Sequence, residues 1–140
     1  MSVPKPDRSK PDGLMELQRM AYKLYGYTAH LTSNEKIVPK RLRWCTGRFL
    51  VNAASAICRY IDLANSLRND DIVTAAERLK CQQLARGSTF NLITEIHKAY
   101  YSHGFSDDVV GNWIEQVVAI QTKLDNWIKS DQNRAKREKP

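Results

Sequence analysis

The chain has 140 residues, with 22 Lys plus Arg against 15 Asp plus Glu, a formal net charge of +7 and a pI near 9.5. That length accommodates one domain with a sizeable core, and the cationic surplus points towards a polyanion partner. No apolar run approaches the roughly 20 residues that span a bilayer, no charged leader precedes an apolar region, and Cys45, Cys58 and Cys81 lack CxxC spacing. A cytoplasmic protein is therefore expected, and the three cysteines, an odd set within apolar helical patterns, are expected to be reduced core thiols.

Pro4, Pro6 and Pro11 lie among Lys and Asp, so residues 1–11 are expected to be disordered. Leu14, Leu17, Ala21, Leu24, Thr28 and Leu31 then recur at steps of three and four, predicting a first helix from about Asp12 to Leu31. Thr32, Ser33 and Asn34 form a polar break. Pro39 suits the first turn of a second helix running to about Leu67, with a core stripe of Leu42, Phe49, Ala53, Ile57, Tyr60 or Ile61, Ala64 and Leu67. Asn69 or Asp70 caps a third helix, whose stripe reads Ile72, Ala76, Leu79, Gln83, Phe90, Ile93, His97 and Tyr100, with Gly87 a site for a kink.

His103 and Gly104 close that pattern, and Ser106 offers the N-cap of a fourth helix that ends near Lys129. Its stripe is Val110, Trp113, Val117, Ile120, Leu124 and Trp127. Four amphipathic helices joined by short connections predict an all-α, antiparallel up-down four-helix bundle over residues 12–130, followed by a basic disordered tail over 131–140.

Little in the sequence suggests catalysis. His30, His97 and His103 are scattered, no Glu-x-x-His or HExxH pair appears, and the six glycines form no phosphate loop. No nucleophile stands beside a base, so neither an enzyme nor a cofactor is expected. The acids Asp70, Asp71, Glu77, Asp107, Asp108 and Glu115 fall at helix starts, where they complement the helix dipole. Uncompensated basic segments remain to be explained.

From Lys36 to Tyr60 the chain carries Lys36, Lys40, Arg41, Arg43, Arg48 and Arg59 with no Asp or Glu. On a continuous helix Lys40, Arg43 and Gly47 share one face, and Arg41 and Arg48 an adjacent one. A second group, Arg78, Lys80 and Arg86, lies in helix three, with no acid between Arg78 and Thr94, and the tail adds Arg134, Lys136, Arg137 and Lys139. Such strips can track phosphates, with Trp44 or Tyr60 adding stacking if exposed. Two readings follow: an RNA-binding accessory protein, or an interaction bundle whose basic face docks an acidic protein.

Ile37-Val38-Pro39-Lys40-Arg41 entering helix two, the Ala-rich run to Ala64-Asn65-Ser66, and Leu124-Asp125-Asn126-Trp127-Ile128-Lys129 closing helix four carry a family resemblance. Over roughly Leu14 to Lys129 the chain resembles the accessory variability determinant (Avd) proteins of diversity-generating retroelements. Those proteins share a four-helix bundle with the ribosomal-RNA intervening-sequence proteins. Asn126 stands where Gly or Ser commonly precedes the Trp-Ile pair. Ile61-Asp62-Leu63-Ala64-Asn65 replaces the Asn-Ile-Ala-Glu-Gly signature of the intervening-sequence branch, which favours Avd. The resemblance implies a non-catalytic, pentameric, ring-like homo-oligomer that binds structured template RNA and a reverse transcriptase and supports adenine-mutagenised complementary-DNA synthesis. It also implies that the family's basic surface falls by residue type on Lys40, Arg41, Arg43 and Arg48, with Arg78 and Arg86 as further members.

Overall fold

Helix makes up nearly all of residues 14–138, the part of the chain described by the computed structural model. Four α-helices and no strand occur among these residues: α1 (Glu16–Ser33), α2 (Arg48–Ser66), α3 (Ile72–His103) and α4 (Asp107–Glu138). α1 packs on α2, α2 on α3 and α3 on α4, while α1 also meets α4, so the apolar stripes enclose one shared core. The expected segment 1–11 lies outside the described residues.

α1 and α4 follow their sequence patterns. Leu17, Ala21, Leu24, Thr28 and Leu31 are buried on α1, as are all six expected α4 positions from Val110 to Trp127. Thr28 turns its hydroxyl to the Leu24 carbonyl at 2.8 Å and accepts the buried Trp113 indole N–H at 3.0 Å. We expect Thr28→Val, which keeps the shape but orphans that N–H, to lower unfolding free energy by about 1–3 kcal/mol in a urea titration.

A polar tie joins α1 to α2. Gln18 donates to one Asp62 oxygen at 3.0 Å and Tyr22 to the other at 2.6 Å. The hydrogen bond to Asp62, helped by partial burial, pushes the Tyr22 phenol up to about 12.

Helix two departs from expectation at its start. Instead of one helix from Pro39, the chain makes a 3₁₀ turn over Lys40–Leu42 and a π turn over Arg43–Gly47 before α2 begins. A π turn closes i to i+5 bonds and so delays the register. Leu50 accordingly takes the core position expected for Phe49, which is exposed.

The α3 helix has the expected period but a different phase. Its buried side chains are Arg78, Cys81, Gln82, Ala85, Thr89, Leu92, Ile96 and Ala99. Of the expected stripe, Ile72, Ala76, Gln83, Phe90 and His97 are exposed. Partners on α4 decide the phase, because polar groups enter the interior only where hydrogen bonds await them. Thr89 accepts from Gln121 at 3.0 Å, while Arg78 and Gln82 meet Asp131. The helix runs through Gly87 without a break and is capped by Asp71, which accepts from the Thr74 amide at 2.8 Å. Gly104 ends it at φ 70°, a left-handed cap that favours glycine.

Ser106 caps α4 as expected, accepting from the Val109 amide at 3.2 Å. The helix then passes Lys129 and continues to Glu138, through most of the segment expected as a disordered tail. Asp131 explains much of that extension, because it binds the buried Arg78.

Candidate nucleic-acid interface

Asn34 ends α1, and its backbone and side chain organise the following loop. Its carbonyl accepts from Ile37 and Val38, each at 2.9 Å, and its side-chain oxygen accepts from the Lys36 amide at 3.0 Å. Val38, Leu42 and Gly47 are buried and pin the connection to the core. Around these anchors, Lys36, Lys40, Arg41, Arg43, Trp44, Cys45 and Arg48 are all exposed. The result is a cationic ridge on the leg that enters α2.

Gly47 has ordinary right-handed backbone angles. A Cβ there would lie 3.6 Å from the Leu42 carbonyl oxygen and 3.9 Å from both Thr32 and Val38, ordinary van der Waals distances that alanine would fit. The expected strip of Lys40, Arg43 and Gly47 is thus corrected: Gly47 faces inward because the π turn breaks α-helical spacing.

None of the five ridge cations makes an ion pair with an acid among the described residues. These side chains are exposed without an ion pair among the described residues, whereas Arg86, Lys98 and Lys123 each have a carboxylate partner. Beside the ridge lies a concavity of about 270 Å³ whose walls include Arg43, Trp44, Arg48, Thr32, Ser33 and Asn52. Trp44 is 81% exposed.

The remaining predicted site residues do not join this surface. Arg59 is exposed further along α2, roughly 16 Å from Arg48 by helix rise, with its guanidinium 5.1 Å from the Tyr60 ring centroid. His103, at the C-terminal end of α3, meets Thr46 of the ridge leg at 3.1 Å. Counting back from His103 places Arg86 roughly 26 Å and Lys80 roughly 34 Å along α3 from that end. Both are exposed, but Arg86 is paired with Asp125 at 2.6 Å and lies over Phe90.

Arg78 is corrected outright. It is 1% exposed, donates to both oxygens of Asp131 at 2.8 and 3.0 Å and to the Leu67 carbonyl at 3.2 Å, and packs over the Trp127 ring. A guanidinium so enclosed holds the fold together and has no access to phosphate. Thr32 and Ser33 are expected only as part of a polar break, and Asn52 carries no expectation of a site role. Their one available signal was proximity in sequence to the two ends of the basic leg.

The thiols also divide. Cys81 is buried and Cys58 half-buried, as expected of core cysteines, but the π turn leaves Cys45 exposed. Burial, and secondarily the Asp62 carboxylate, push the Cys58 thiol up to about 11. Burial and then Glu77 raise Cys81. Thiolates are the reactive species, so Ellman's reagent near neutral pH should modify one thiol quickly and two slowly. Cys45→Ser should abolish the fast phase, and guanidinium should merge all phases.

Among the described residues no group of three or more His, Cys, Asp or Glu is placed to hold a metal, and no helix is long and apolar enough to cross a membrane. The arrangement suits electrostatic and stacking contacts with a polyanion. No protein-family model matches the chain, and no curated protein matches it.

Proposed function

We propose that this chain is a non-catalytic, cytoplasmic, RNA-binding accessory subunit of a retroelement reverse transcriptase. Within this reading the helices form an antiparallel up-down bundle, and copies of the chain assemble into an Avd-like pentameric ring. The ring holds structured template RNA beside the polymerase, which alone carries out mutagenic complementary-DNA synthesis. The observation that carries the reading is the ridge itself: five exposed cations on one leg without acidic partners among the described residues, flanking an exposed tryptophan. Repeating that ridge around a ring would sum its field and draw RNA from a distance.

Exposed apolar side chains on α3 support the assembly part of the reading. Ile72 is 89% and Val73 69% exposed, and Leu84 and Phe90 are also exposed. In this reading Ile72 and Val73, adjacent at the start of α3, are contacts with further copies or with the polymerase. The competing reading, an acidic protein on the basic face, is separated by competition. Labelled structured RNA bound at about 0.15 M salt should resist polyglutamate, yet yield to unlabelled RNA. Displacement by polyglutamate at equal charge, or no RNA retention, would favour the acidic-protein reading.

A further inference from the structure

We infer that the concavity beside Trp44 is a slot for one unpaired nucleotide, so that the ridge selects single-stranded segments of the RNA over duplex. The inference rests on the RNA-binding reading above and adds which RNA the site takes. Trp44 presents its ring almost wholly to solvent, on a π turn held in place by buried Leu42 and Gly47. An exposed large aromatic surface beside cations is suited to stacking, since every base has a π face and its phosphate supplies the opposite charge.

Size and chemistry agree. Pockets for drug-sized ligands start at about 300 Å³, so about 270 Å³ admits a single base with part of its sugar and little more. Arg43 and Arg48 stand at the walls, and no acid lines the concavity. The exposed Ser33 hydroxyl donates to the His30 carbonyl at 3.1 Å, which leaves its oxygen as an acceptor. The exposed Asn52 amide offers a donor and an acceptor together, the pattern that reads a base edge. A base inside a duplex has its faces covered by its neighbours and cannot enter.

The tryptophans provide a selective readout, since Trp113 is 0% and Trp127 9% exposed while Trp44 is open. The probes are an oligoadenylate of about a dozen nucleotides and an RNA duplex matched in phosphate number. The single strand should bind more tightly than the duplex and shield one tryptophan from acrylamide quenching. Trp44→Ala should weaken single-strand binding at least about fivefold without changing duplex affinity, and Trp44→Phe should restore most of the loss. If single strand and duplex bind equally and Trp44→Ala changes neither, the slot is overturned while RNA binding through the ridge stands. If neither RNA binds above background at about 0.15 M salt, both readings fall.

Discussion

Asp131→Ala should be strongly destabilising, lowering unfolding free energy by about 3–5 kcal/mol and Tm by roughly 10–20 °C. Asp131 is the only carboxylate that meets Arg78 among the described residues, and the Arg78 side chain is 1% exposed. Removing it strands a guanidinium with the Leu67 carbonyl and the Trp127 ring, and takes the acceptor from the Gln82 amide as well. Gln82 Oε1 already lacks a partner, so that corner has no spare hydrogen bonds. The double variant Arg78→Met with Asp131→Leu should recover most of the loss, because two apolar groups leave no buried charge behind. Thermal and urea unfolding of the single and double variants check this. A loss below about 1 kcal/mol for Asp131→Ala would mean that water reaches Arg78.

Changing Lys40, Arg41 and Arg43 together to Gln should act on binding and leave stability alone. All three are exposed and unpaired with described acids, so unfolding should shift by no more than about 0.5 kcal/mol. Each lost phosphate contact removes about 0.7 from the log–log salt slope for a single strand, so the triple variant should flatten it by about two. Near 0.15 M salt the same loss corresponds to an affinity drop of about fifty-fold. Lys80→Gln, roughly 34 Å along α3 from the ridge end, is the distant single-charge control and should leave affinity within about twofold. A Lys80→Gln loss of about a third of the triple variant's on a logarithmic scale, one charge against three, would mean that net charge, and not this ridge, governs binding.

How far the sequence reads ahead of the structure depends on where the deciding partner lies. The apolar stripe of α4 is locally legible, because Val110, Trp113, Val117, Ile120, Leu124 and Trp127 are all apolar and all face the core. The phase of α3 is not, because it buries Arg78, Gln82 and Thr89 and exposes Ile72, Val73 and Phe90. Its logic depends on Asp131, 53 residues beyond Arg78, in a segment whose composition resembles a tail. The same long-range pair removes Arg78 from the candidate site.

At the ridge, the cations and the absence of acids were plain in the sequence. The π turn was not, because Pro39 and the apolar spacing suit an uninterrupted helix equally well. That single turn exposes Cys45, moves the core position from Phe49 to Leu50 and turns Gly47 inward. It also decides the ambiguity of Trp44. Thr32 and Ser33 become neighbours of the arginines only through packing of α1 against the leg, whereas Asn52 follows Arg48 by one turn of α2.

The central claim is that the uncompensated ridge binds RNA through its phosphates. The most direct test is the affinity of the wild-type chain for a long structured RNA, measured across a salt series from about 0.05 to 0.2 M. Five contacts predict a log–log slope of about −3 to −4, with binding retained at physiological salt. A slope near zero, or no binding above background at about 0.15 M, would contradict the claim.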